Sequence, residues 1–259
     1  MRIARFSLRR KIGYGIIQNN LVYSLEKDPF SEFQAGREPE MDGQSFTLEQ
    51  VKLLAPCLPS KLVCLGLNYK PHAQEFKQTL PPVPLLFLKP STAVIGPEDN
   101  IVLPRSWKRV DYEGELAIVI GKKARYVSEN EALKYVLGYT CVNDVTEREL
   151  QKQDVQWTRA KGFDTFAPLG PWIETDINAG DLKLESYLNG ELRQSARTSE
   201  LIFGIPRIIS FISEVMTLLP GDVIATGTPA GIAPMQPGDK IEIRIENIGI
   251  LRNIVMAPS

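Results

Sequence analysis

The sequence predicts a β-rich α+β fold, built on a rolled or barrel-like sheet and preceded by a small N-terminal domain. Three observations lead there. Short apolar or alternating runs outnumber helical ones along the 259 residues. Tight-turn signals separate them: Asn19-Asn20, Asn189-Gly190, and the tripeptide PGD at 220–222 and again at 237–239. Finally, strands and helices do not alternate as a doubly wound sheet requires.

The elements follow in chain order. The N-terminus, MRIARFSLRRK, interleaves arginine with apolar residues and lacks the unbroken apolar stretch of a signal peptide, so it reads as a first strand. GIIQNNLVYSLE flanks Asn19-Asn20 with β-branched and aromatic residues and predicts a hairpin. Residues 31–46 are polar and glycine-containing and read as a loop. TLEQVKLLAPC opens on a capping residue, Thr47, and its apolar spacing predicts a helix stopped by Pro56. A boundary near residue 58 then gives a small α/β domain over 1–57 and a larger domain over 58–259. KLVCLGLN, LLFLKP and ELAIVIG predict strands. VSENEALKYVLGYTCVND predicts a helix capped by Ser128 that becomes a strand by Tyr139. TERELQKQDVQWTRAK is helical in its first half, ESYLNGELRQ is a hairpin, and IPRIISFISEVMTLL is an amphipathic helix. The first PGD leads into the strand VIATG, the second into the paired strands of KIEIRIENIGILRNIVM.

Composition narrows the function. Thirty Lys+Arg against 31 Asp+Glu leave a net charge of −1, which gives neither nucleic acid nor an anionic membrane a reason to bind. No apolar run approaches the roughly 18 residues of a membrane span. Cys57, Cys64 and Cys141 sit among apolar residues without a CxxC spacing and read as reduced core thiols, consistent with a cytoplasmic protein.

The stretch RVDYEGELAIVIG carries the chemistry. In a strand, Asp111, Glu113 and Glu115 project from one face, with Ala117 and Val119 continuing it, while Tyr112, Leu116, Ile118 and Ile120 take the other. A row of carboxylates is ordinarily a solvated face. One running straight into a core calls for a bound cation or for Arg and Lys partners. An oxygen-only ligand set suits Mg²⁺, Mn²⁺ or Ca²⁺ rather than zinc. In CVNDVTERELQ, Asp144 closes an apolar strand at a helix start, with Arg148 and Gln151 at i+4 and i+7 on one helical face. Asp144 there reads either as a helix N-cap or as a further ligand.

His72, the single histidine, has Glu75 three residues on. The pair reads as a carboxylate-oriented general base or as a structural histidine beside a chance acid. In TGTPAG, residues 226–231, Gly227 and Thr228 belong to a turn whose backbone N–H groups are open to an anion. Nothing local singles out Lys161.

Seven ordered segments together resemble the fumarylacetoacetate hydrolase family from about Lys61 to Val255: GLNYKPHAQE, FLKPSTAVIGPEDNIVLP, DYEGELAIVIG, VNDVTERELQ, DVQWTRAKGFDTFAPLGPW, LNGELRQ and LLPGDVIATGTPAGI. The likeness is strongest to two-domain bacterial members. It implies mixed β-sheets rolled around a central core, and Mg²⁺ or Mn²⁺ held by Glu113, Glu115 and Asp144, with Asp111 in support. It also implies a catalytic His72–Glu75 pair, an active-site lysine at Lys161, and substrate contacts at Arg148, Gln151, Gly227 and Thr228. The expected substrate is a small 2-oxo or β-diketo acid. The expected reaction is hydrolysis of a C–C bond in an acylpyruvate, with isomerisation, tautomerisation or decarboxylation of 2-oxo or 2-hydroxydienoic diacids of aromatic catabolism as the alternative. A homodimer is the expected assembly.

Overall fold

The computed structural model describes residues 1–70 and 80–258. Among these, one large mixed sheet runs in the order Met41–Thr47, Leu21–Leu25, Lys11–Gln18, Arg2–Leu8, Ala167–Glu174, Val136–Asn143, Gly114–Ile120, Val223–Ala225, Leu62–Gly66, Leu85–Lys89. A second sheet of five strands is ordered Glu191–Arg197, Lys183–Leu188, Lys240–Ile245, Gly249–Met256, Asn100–Val102. Most pairings are antiparallel. Val223–Ala225 lies parallel to Leu62–Gly66, and Gly249–Met256 parallel to Asn100–Val102. This is the mixed-sheet α+β architecture that the sequence predicts. Among the described residues no helix is long and apolar enough to cross a membrane.

The strand Gly114–Ile120 is buried on both faces, which explains its near-continuous apolar ending. Leu116, Ile118 and Ile120 join the main core with Ile241, Ile243 and Leu251 of the second sheet and with Ile205, Ile208 and Ile212 of the helix Ile205–Val215. Ala117 and Val119 join a second cluster with Ile3, Cys64, Val142, Leu169 and Ala225, almost all from strands of the large sheet itself. A flat sheet cannot bury side chains against its own face, so this cluster shows that the sheet is rolled. The three cysteines are free and buried. Burial pushes the Cys57 and Cys141 thiols up to about 12, which keeps them protonated and inert.

The N-terminal strands extend the large sheet: Arg2 and Ile3 pair with Glu174 and Ile173, and the terminal ammonium meets Glu174 Oε1 at 2.7 Å. They also enclose a small cluster of their own, Ala4, Phe6, Ile17 and Val22. The hairpin turn is where the sequence puts it, with Asn19 and Asn20 at φ 47° and 67°.

Three local expectations change. The stretch 31–46 is not simply a loop. The end of helix Pro29–Gln34 occupies its start, capped by Asp28, whose carboxylate accepts from Ser31 N at 3.0 Å. The edge strand Met41–Thr47 occupies its end, and its mostly exposed residues leave no apolar alternation to read. The helix expected after Thr47 is only a 3₁₀ turn, Leu48–Gln50. Thr47 N donates to Gln50 Oε1 at 2.9 Å, but Lys52–Leu54 then pairs with Arg5–Ser7, and that ladder overrides helix propensity. After Ser128 the helix is likewise 3₁₀, over Glu129–Tyr135, and the strand begins at Val136.

Candidate metal centre and active site

Backbone pairing assembles the carboxylates. Gly114–Ile120 runs antiparallel to Val136–Asn143 with Gly114 opposite Asn143, so the residue that leaves the second strand, Asp144, lies beside Glu113. Two bonds fix this corner: Asp144 N donates to Glu113 O at 2.9 Å, and Glu113 N donates to Asn143 Oδ1 at 2.9 Å. On the other side Val223–Ala225 pairs with Ala117–Val119 and leads into the turn at Thr226–Thr228, where Gly227 N donates to Glu115 Oε2 at 2.7 Å. Gly227 sits at φ 96°, and a Cβ there would meet Asn68 Cβ at 2.8 Å, so both backbone strain and crowding demand glycine. Glu113, Glu115 and Asp144 are all buried, and each offers an oxygen within 4.8 Å of the other two.

Cations from three separate segments surround them. Lys161, on the short helix Thr158–Lys161, donates from Nζ to Glu113 Oε2 (2.9 Å), Asp144 Oδ2 (2.6 Å) and Thr146 Oγ1 (2.8 Å). Lys89 is fully buried and donates to Asp144 Oδ1 at 2.5 Å and to Val145 O at 3.0 Å. Arg148 spans three groups: Nε to Asp111 Oδ2 (2.9 Å), Nη2 to Glu113 Oε1 (2.5 Å) and Nη1 to Gln151 Oε1 (2.8 Å). Burial works against the Lys161 ammonium, but the charges of Asp144 and Glu113 outweigh it and hold its pKa above the ordinary lysine value. For Lys89 burial wins and the pKa falls.

Asp111 stands apart from the triad. It pairs with Thr146 in a short two-stranded ladder, and two guanidiniums, those of Arg109 and Arg148, share its carboxylate. Asp144 is not the cap of the helix Arg148–Gln153; that position belongs to Glu147, whose carboxylate accepts from Leu150 N at 2.6 Å. Glu115 differs from its neighbours. Among the described residues no cation pairs with it, and the hydrogen bond to its carboxylate comes from Gly227 N. Burial first, then the charges of Asp144 and Glu113, push its carboxyl well above the usual carboxylate range. Three converging oxygens, one of them starved of positive charge, fit a hard divalent cation.

Glu113 and Glu115 of the triad open onto a cavity of about 290 Å³, also lined by Lys161, Arg148, Gln151 and Thr228. Phe87 and Trp157, edge to face at 5.4 Å, form an aromatic wall, and the Lys161 ammonium lies 4.7 Å from the Phe87 ring centre. The structure thus brings Glu113, Glu115, Asp144, Lys161, Arg148, Gln151, Gly227 and Thr228 to one place. His72 and Glu75 lie outside the described residues. Sequence reading missed Lys89, whose signal was a lone charge inside the apolar strand of FLKP. It also missed Gln194, at the end of LNGELRQ. This fully buried side chain accepts from Gly114 N (3.0 Å) and Ser186 Oγ (2.6 Å), and donates to Thr228 Oγ1 (2.8 Å) and Pro229 O (2.8 Å).

Residues 61–256 match the family described as fumarylacetoacetate (FAA) hydrolase C-terminal, and residues 1–56 one described as Rv2993c-like, N-terminal. The crystal structure of 2-hydroxyhepta-2,4-diene-1,7-dioate isomerase from Mycobacterium marinum is similar at TM-score 0.91 and 44% identity, over 99% of this chain and 98% of that one. The maleylpyruvate hydrolase from Sphingobium sp. SYK-6, solved with manganese(II) and pyruvate, is similar at TM-score 0.84 and 31% identity over 100% of both chains. The mitochondrial oxaloacetate tautomerase FAHD2B of Bos taurus is 40% identical over 220 residues, 80% of this chain and 70% of its own.

Proposed function

Because this chain belongs to the fumarylacetoacetate hydrolase family, we propose that it is a divalent-metal-dependent enzyme that converts a small 2-oxo acid through its enol form, as an isomerase or tautomerase. One observation carries the reading: a buried carboxylate triad with a buried ammonium hydrogen-bonded to two of its members, at the wall of one small cavity. Glu113, Glu115 and Asp144 would hold Mg²⁺ or Mn²⁺, which when bound polarises the carboxylate and 2-oxo oxygens of the substrate as a Lewis acid.

The chain's own residues do the rest. Lys161 holds a positive charge beside the triad, where the 2-oxygen gains negative charge as the substrate enolises, and in a water-poor site such a charge acts strongly. Arg148 fixes Glu113 and takes the carbonyl oxygen of Gln151, leaving the Gln151 amide donors for a substrate oxygen. Thr228 and the turn at Gly227 close the opposite side. The relatives' activities support this reading, since dienoate isomerisation, oxaloacetate tautomerisation and maleylpyruvate hydrolysis all act next to a 2-oxo or 2-hydroxy carboxylate.

A second reading, C–C hydrolysis of an acylpyruvate, is favoured by the HxxE spacing of His72 and Glu75, a pair suited to draw a proton from attacking water. One assay separates the two. The EDTA-stripped protein is tested with and without Mn²⁺ on enol-oxaloacetate, 2-hydroxyhepta-2,4-diene-1,7-dioate and acetylpyruvate. A spectral change at constant mass supports isomerisation. Pyruvate with its matching acid supports hydrolysis. CO₂ with pyruvate from oxaloacetate points to decarboxylation. Absence of any metal-dependent conversion refutes the proposal.

A further inference from the structure

The open side of the cavity carries a cation that the chemistry above does not use. Arg109 lines the same cavity as the triad, but its side chain is 47% exposed where those of Arg148 and Lys161 are 6% and 3%. It therefore stands at the mouth, and they stand at the floor. Asp111 holds the guanidinium rigidly by two parallel bonds, Nε to Oδ1 at 2.9 Å and Nη2 to Oδ2 at 3.0 Å. Burial of Asp111 and this bidentate geometry fix the plane of the fork. The third nitrogen, Nη1, makes no hydrogen bond among the described residues.

Asp111 also accepts from Arg148, but Arg148 has Glu113 as a second partner, so Asp111 engages Arg109 through Nε and Nη2 and leaves Nη1 to the cavity. Lys152 also reaches the cavity, but its ammonium is held by Glu149 at 2.9 Å, and its side chain is 70% exposed. Arg109 is thus the pre-positioned donor at the mouth, with one nitrogen left for a ligand. Between mouth and floor the wall is apolar, with Phe87 and Trp157 suited to the methylene or vinyl carbons of a short chain.

We propose that Arg109 is the specificity-determining residue for a distal carboxylate, so that the site takes short 2-oxo dicarboxylates in preference to 2-oxo acids with an apolar tail. This rests on the reading of the floor as a 2-oxo acid site. The first carboxylate and the 2-oxo group lie at the triad and Lys161, the carbon chain lies along Phe87 and Trp157, and the second carboxylate meets Arg109 Nη1.

The test compares 2-oxoglutarate with 2-oxopentanoate, which differ only in a terminal carboxylate against a terminal methyl. Calorimetry on the Mn²⁺-loaded protein reads Kd for each, in the wild type, Arg109→Met and Arg109→Lys. A charge-assisted hydrogen bond predicts a preference for the diacid of about 10- to 100-fold in the wild type. Arg109→Met abolishes that preference and leaves the 2-oxopentanoate Kd unchanged, and Arg109→Lys restores part of it. Equal affinity of the wild type for the two acids overturns the inference. So does an equal loss on both acids in Arg109→Met, the signature of a purely structural role through Asp111. Turnover is measured in parallel on enol-oxaloacetate. A binding preference that depends on Arg109, without any metal-dependent turnover, removes the proposed reaction and leaves the carboxylate subsite standing.

Discussion

Replacing Gln194 by leucine separates what the carboxamide does from the space it fills. The two side chains are close in size, and position 194 is fully buried, so leucine fits without opening a large cavity. It removes four hydrogen bonds. Ser186 Oγ–H can rotate toward another acceptor, and Thr228 Oγ1 keeps its bond to Gly114 O at 2.9 Å. The Gly114 N–H and the Pro229 carbonyl lose the Gln194 partner with no side chain to replace it. A stranded buried backbone group costs about 1–3 kcal/mol, and burying leucine in place of an amide returns about 1 kcal/mol, which leaves a net loss of about 3 kcal/mol. For a chain of this size that corresponds to a fall in Tm of roughly 6–9 °C. The damage is also local. Gly114 lies between Glu113 and Glu115, so Mn²⁺ affinity should fall about 10-fold, as it does when groups that orient metal ligands are lost. Chemical denaturation of the metal-free protein gives the first number and Mn²⁺ titration the second. A variant within 1 kcal/mol of wild type, with unchanged Mn²⁺ affinity, would refute the assignment of Gln194 as the tie between the Gly114 strand and the Thr228 turn.

Other substitutions probe the charges. Glu115→Gln removes a carboxyl that burial and the charges of Asp144 and Glu113 hold well above its usual range, and with it the cost that this shift imposes on folding at neutral pH, so the metal-free protein gains about 1–2 kcal/mol. The same variant loses the rise in Tm that Mn²⁺ gives the wild type, and thermal scans with and without the ion read both effects. Lys161→Met retains the triad but removes the ammonium, so kcat falls by at least about 100-fold while calorimetry still shows Mn²⁺ binding. Glu242 governs acid stability. Burial would raise its carboxyl, but hydrogen bonds from Arg244 and Arg252 bring it down from 4.5 to about 2. A carboxyl lowered on folding stabilises the fold fully above the unfolded pKa and loses that contribution as pH falls through the folded one. Wild type should therefore lose about 1–2 kcal/mol between roughly pH 4.5 and 2, allowing for the partly exposed arginines, and Glu242→Gln should lack that limb in acid denaturation.

What the sequence revealed and what it concealed follow from how each feature is encoded. Strands buried on both faces, such as Gly114–Ile120, announce themselves as apolar runs, and turns that require a left-handed backbone announce themselves as Asn-Asn or Asn-Gly. An edge strand in water such as Met41–Thr47 leaves no such trace, nor does a strand like Lys52–Leu54, whose identity depends on a partner far away in the chain, Arg5 for Leu54. The site divides in the same manner. Three of its anions lie at a spacing of two, which the sequence exposes, although they do not form one strand: Asp111 ends the short strand Val110–Asp111, Glu113 lies in the break after it, and only Glu115 belongs to Gly114–Ile120. Its cations come from Lys89, Arg148 and Lys161, on three segments that only the fold brings together against these acids. That scattering has an energetic reason. Carboxylates clustered in a buried site repel one another; Asp111 has Arg109 two residues before it, but the stretch 112–120 holds no basic residue that could relieve Glu113 and Glu115. Compensation must therefore arrive from elsewhere in the chain. It reaches Asp111, Glu113 and Asp144 through arginine and lysine, and leaves Glu115 with a single backbone donor. A chain that places cations against three of four clustered acids, and against the fourth only an N–H from a turn that must be glycine, has left unfilled the charge that a divalent ion supplies.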